Sequence, residues 1–149
     1  MHTFESESGH VVVSLETGDL FLESIQTVCE DHDIETGYVA SAIGTLRNLN
    51  VHYLTTDDLT ASRDERNTVL ELDGCWEVSG VNGVIAAGDP HLHVTADDGE
   101  RTVAGHLEDG CEINALGEVV IRRLEDLDLE RTPNEFGVSI LGQRKESDA

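Results

Sequence analysis

The chain has 149 residues, of which 38% are hydrophobic and 27% charged. That composition suits one globular domain around one core and excludes a disordered or fibrous chain. Asp and Glu number 31 against 9 Lys and Arg, a formal net charge of −22, which argues against direct binding to nucleic-acid phosphates.

The first β-branched run, His10 to Leu15 (HVVVSL), predicts a strand. In the segment TGDLFLESIQTVCEDHDI, Leu20, Phe21, Ile25, Val28 and Cys29 recur at helical spacing. Thr17 or Asp19 is the expected cap, and Asp19 and Glu23 suit the positive N-terminal end. GYVASAIGTL predicts a buried strand ending near Gly44, with LNVHYL as its hairpin partner, and residues 56–67 a polar loop. From Thr68 on, TVLEL, CWEVSG, GVIAA, HLHVTA, RTVAGHL, EVVIRRL and GVSIL predict short strands punctuated by Gly, Asp and Asn. The expected class is α+β: a mainly antiparallel, barrel-like sheet with one or two packed helices. Residues 1–142 form the expected domain and 143–149 a disordered polar tail.

No apolar run approaches the roughly 20 residues that span a bilayer. MHTFESESGH has neither the basic nor the apolar region of a leader, so the expected location is the cytoplasm. Lys145 is the single lysine, and acids are spread along the whole chain. Such a chain repels itself where the Debye length is about 30 Å, at about 0.01 M salt. At about 1 M salt that length is about 3 Å and the repulsion is screened. The expected setting is a high-salt cytosol, as in a halophile. Cys29, Cys75 and Cys111 are odd in number and widely spaced, which predicts buried reduced thiols.

Residues 88–110, GDPHLHVTADDGERTVAGHLEDG, hold three of the seven histidines. Asp98-Gly99 lies between two alternating runs and signals a hairpin. A turn there sets His91 opposite His106, His93 opposite Ala104 and Thr95 opposite Thr102. Leu92, Val94, Ala96, Val103, Gly105 and Leu107 then face the core, and the three histidines share the other face. Opposed Cβ atoms lie about 4.5–5.5 Å apart. Three imidazoles so placed can reach one cation at about 2.0–2.1 Å each. Ala104 is small and leaves room beside them. Three protein ligands and an open fourth position are the catalytic zinc pattern, and another divalent metal suits the same donors. His2, His10, His32 and His52 stand outside the pattern. Glu118, next to Val119, Val120 and Ile121, is the candidate acid–base group. Its alternative is a solvated strand residue paired with Arg47 or Arg122.

The stretch CWEVSGVNGVIAAGDPHLHVTADDGERTVAGHLEDGCEINALGEVVI resembles the PPC (plants-and-prokaryotes conserved) domain. The residues that carry the likeness are Gly88, Pro90-His91-Leu92-His93, Gly105-His106-Leu107, Gly110-Cys111 and Glu118. SAIGTL at 41–46 resembles the family's earlier Gly-centred strand end, and GDLFLESIQTVCEDHDI stands where its first helix belongs. Ala104 and Gly117 depart from the family pattern, each small for small. The resemblance implies an α+β domain assembling as a homotrimer. A more distant likeness, to acetolactate decarboxylase and its histidine-held zinc, implies a metal role for His91, His93 and His106. Plant members carry an AT-hook before the domain, and prokaryotic members bear a DNA-binding label. This chain has no Arg-Gly-Arg, and its densest basic sites are Arg122-Arg123 and Arg144-Lys145.

Two readings follow. One is a trimeric zinc protein that binds or acts on a small molecule, with hydrolysis and decarboxylation both open. The other is a non-catalytic, DNA-associated or regulatory protein-interaction module. The charge also predicts a salt requirement. The melting temperature should rise from about 0.1 M to about 2 M KCl in a calorimetric scan, as screening offsets acid–acid repulsion; a flat response would contradict this.

Overall fold

The computed structural model describes residues 1–144. Two hairpin-linked strands open the chain, β1 (His2–Glu5) and β2 (His10–Glu16). Helix α1 (Phe21–Asp31) follows. Two long strands, β3 (Thr36–Leu54) and β4 (Asn67–Ala86), flank the one-turn helix α2 (Arg63–Arg66). Then come β5 (Asp89–Asp97), β6 (Thr102–Leu107) and β7 (Ile113–Arg123). A separate hairpin of β8 (Leu129–Pro133) and β9 (Ser139–Gln143) ends the described chain.

The seven-stranded sheet runs β1-β2-β7-β3-β4-β5-β6, and every pairing is antiparallel. β6 also returns to β3, at Val51–Leu107 and His52–His106. The stretch β3-β4-β5-β6 therefore closes on itself, the barrel-like α+β arrangement expected. The interior follows strand alternation. Val11, Val13 and Leu15 of β2, Leu92, Val94 and Ala96 of β5, and Val119 and Ile121 of β7 are all buried. Each buried Val, Leu or Ile among them contributes about 1.5–3 kcal/mol. Trp76 on β4 is fully buried at 0% exposure.

Helix α1 buries Phe21, Leu22, Ile25, Val28 and Cys29. Leu20, expected on the apolar face, instead precedes the helix and is 40% exposed. Neither Thr17 nor Asp19 caps the helix: the N-cap is Leu20, with no side-chain cap. Asp19 instead accepts the Glu16 N–H through Oδ2 and pairs with the chain's amino terminus. Cys29 and Cys111 are buried free thiols, whereas Cys75 is exposed. Burial pushes the Cys29 thiol up to about 12 and the Cys111 thiol up to about 11.

Several predicted boundaries dissolve. GYVASAIGTL and LNVHYL are one strand, β3, not a hairpin. Gly44 does not turn the chain. A Cβ there would lie 2.7 Å from the Leu116 carbonyl oxygen, so the glycine lets β7 approach closely. The register of this long strand is irregular at Val39/Ser41 and Gly44/Leu46 against β7 and at Leu46/Asn48 against β4. TVLEL, CWEVSG and GVIAA likewise merge into β4, with Gly74, Gly80 and Gly83 inside the strand. The predicted loop at 56–67 contains α2, whose capping box joins Ser62 and Glu65. Gln143, first residue of the expected tail, pairs with Leu129; residues 145–149 lie outside the described chain.

Gly105 is where β6 meets β3. A Cβ at Gly105 would lie 2.8 Å from the His52 carbonyl oxygen and 3.2 Å from the Val51 Cβ. Gly105→Ala should force β6 off β3 and cost about 1–3 kcal/mol, as overpacking does. The check is the midpoint of urea unfolding, which should fall; an unchanged midpoint would show that the closure tolerates a methyl group.

Candidate metal centre

The β5–β6 hairpin sets the site. Its turn lies one residue further along than the sequence suggests, because Asp98 organises a four-residue loop. The Glu100 and Arg101 N–H groups both donate to Asp98 Oδ1, each at 3.0 Å. The first pair below the loop is therefore Asp97–Thr102, and His93, not His91, stands opposite His106. Ala104 faces Thr95. Each partner has moved by two residues, an even number, so alternation still sends all three histidines to one face. The ring centroids are 5.5 Å apart for His91–His93, 4.6 Å for His91–His106 and 5.5 Å for His93–His106.

One ligand nitrogen from each of these rings lies within 4.8 Å of the others. Nitrogens bound tetrahedrally to one zinc at about 2.0–2.1 Å are about 3.4 Å apart. Rotation of the exposed His91 and His93 side chains can close that difference. The donor set therefore fits a divalent cation. Its protonation state suits a ligand too. Burial, reinforced by the His91 and His52 rings, lowers His106 to about 4. Burial lowers His91 as well, aided by the Arg131 guanidinium. Arg131 reaches over from β8 and donates to the Asp89 and Val84 carbonyls, fastening the second hairpin to the β4–β5 strands beside His91.

His52, outside the predicted pattern, is the residue that sequence reasoning missed. It pairs with His106 across β3 and β6, with ring centroids 4.5 Å apart. Its Nδ1 hydrogen-bonds the Glu108 carboxylate. Only the β3–β6 register brings it there, and no turn between those strands announces that register. Glu118 is placed differently. It is exposed on β7, opposite Ser14 of β2 and Ile43 of β3. Within one chain it is not brought to the histidines: β7 pairs with neither β5 nor β6, and His52 lies nine residues further along β3 than Ile43, about 30 Å of extended strand.

A closed antiparallel sheet with a histidine cluster on its hairpin defines the class, and comparison supplies the family. The model of the Plants and Prokaryotes Conserved domain matches residues 2–125, and the chain belongs to that family. Solved structures share the fold. A candidate DNA-binding protein from Bacteroides thetaiotaomicron aligns at a TM-score of 0.82 and 20% identity, covering 95% of this chain and 96% of that one. A metal-containing protein from Archaeoglobus fulgidus aligns at 0.77 and 23%, covering 96% and 100%. A plant- and prokaryote-conserved protein from Pyrococcus horikoshii aligns at 0.75 and 23%, covering 97% and 96%. Among curated proteins, the bifunctional protein GlmU of a Synechococcus strain is 28% identical over 114 residues. The match takes in 75% of this chain but spans only 17% of the relative's length.

The depressed pKa of His106 has a sign that can be checked in metal-free protein. The folded chain holds the ring neutral down to about 4, while the unfolded value is 6.5. Its share of stability is present above 6.5 and is lost as pH falls from 6.5 toward 4, because the unfolded chain takes up the proton first. Chelator-treated wild type should lose more stability over that window than His106→Gln. Parallel urea curves at each pH give the measurement, and equal slopes would refute the assignment.

Proposed function

We propose that the chain is a metal-dependent small-molecule protein in which His91, His93 and His106 hold one divalent ion, zinc by donor type. The observation that carries the reading is the convergence of three imidazole nitrogens within 4.8 Å. The A. fulgidus relative, described as metal-containing, supports it. When bound, such an ion supplies Lewis acidity toward a carbonyl or a water. The hairpin holds the ligands in register, burial keeps His106 unprotonated, and the exposed face leaves room for a small molecule. The assembly is the homotrimer implied by the family. Glu118 is the acid–base residue of this reading, and it can serve the histidines only across a contact between copies.

The second reading, a DNA-associated module, draws on the B. thetaiotaomicron relative. Charge opposes it. Arg123 pairs with Glu5, Arg47 with Glu112, and Arg144 lies near Glu35, Asp128 and Glu130. These guanidiniums answer the chain's own acids and do not form a free basic face. Fluorescence anisotropy with duplex DNA at about 0.15 M salt should show no binding by the isolated chain.

Metal analysis of protein purified without a histidine tag tests the first reading. About one zinc per chain is expected from a single three-histidine donor set. His106→Ala should lose it, and Glu118→Gln should keep it. Wild type without metal would end the proposal. Loss of metal from Glu118→Gln would make that residue a ligand and the site a closed, structural one.

A further inference from the structure

We propose a second divalent-cation seat, formed by His52, His106 and Glu108, on the side of His106 away from His91 and His93. It shares His106 with the three-histidine site and otherwise uses residues which that reading does not. Ligand atoms of the three lie within 4.8 Å of one another. His52 stands opposite His106 across the β3–β6 ladder. Glu108 is fixed by the backbone as well: its N–H donates to the Asn50 carbonyl of β3 at 3.0 Å. All three donors therefore sit on paired strand or its immediate continuation, not on long free arms. His52 and Glu108 are both half-buried, at 18% and 35% exposure.

In the metal-free chain, His52 Nδ1 and the Glu108 carboxylate are joined through a proton. A cation can replace that proton, since both atoms are then ligands. Two imidazoles and one carboxylate with an open side hold zinc, manganese or ferrous iron. The open side faces a cleft of about 520 Å³, lined by His52 and Glu108 together with Asn50, Asn67, Glu71 and Asp109. His91 and His93 do not line it. His52 and Glu108 of the mixed seat therefore stand at the wall of a cleft with room for a ligand. The bland alternative is an ordinary His–Glu ion pair at the cleft wall, and it makes a different prediction about metal.

A neutral imidazole has one lone pair to give, so His106 serves one ion at a time. The two seats are alternatives, and either can hold the ion when the other is lost. The test is zinc titration by calorimetry on the chelator-stripped full chain. Wild type and Glu108→Gln should each bind one zinc per chain. His93→Ala, or His91→Ala should that variant misfold, removes the three-histidine seat yet should still bind one zinc saturably. Adding Glu108→Gln to His93→Ala should weaken that binding by at least about 100-fold, because losing a ligand exceeds the 10–100-fold cost of an outer partner. Absence of saturable binding in both single histidine variants, while wild type binds, overturns the second seat alone. So does equal affinity of His93→Ala with and without Glu108→Gln. Wild type that binds no zinc overturns both seats.

Discussion

The structure depends on one close approach, that of β6 to β3 at Gly105. Only a residue without a Cβ can lie so near the His52 carbonyl. That contact turns a twisted open sheet into a closed one and seals the buried Leu107 against the buried Val51. On the outer face of the same two rungs it sets His106 beside His52. Core closure and the meeting of His52 with His106 are thus two faces of one pairing. A residue that opened β6 from β3 would damage both together.

Charge shapes the rest of the surface. With so few cations available, a single guanidinium can meet several carboxylates, and Arg144 has three acids around it. Arg131 donates instead to the Asp89 and Val84 carbonyls, holding the last hairpin against the strands that carry His91, as Arg66 donates to the Leu59 and Phe136 carbonyls. Burial, more than neighbouring charge, sets the His106 proton affinity, since solvent is excluded on its core side.

Local signals are legible for α1 and the β5–β6 hairpin but not for the equally local β1–β2 and β8–β9 hairpins. The apolar periodicity marked α1, and alternation sorted Leu92, Val94 and Leu107 from the three histidines. The Asp98-Gly99 turn was found but set one residue early, because Asp98 could not be seen to accept the Glu100 and Arg101 amides. The error was harmless because alternation repeats every two residues. Glycine misled where it served close packing: Gly44 looked like a strand end and lies inside β3. Non-local pairing was not legible at all. Nothing near NVHYL says that His52 will face His106, and LERTP carried too little alternation to announce β8. The family resemblance supplied the overall fold where periodicity alone left several short strands unordered.

The β3–β6 pairing has a consequence for how the chain reaches its native state. His52 and Glu108 are 56 residues apart in sequence, and between them the chain must complete the β3–β4 and β5–β6 hairpins. Each hairpin nucleates from its own turn and the tight β4–β5 connection joins them, but the β3–β6 rungs must still close the whole four-strand circuit. The rungs at Val51–Leu107 and His52–His106 therefore form late. The His52–His106–Glu108 seat lies on that seam, and a cation present during synthesis would find this seat only after the seam has shut.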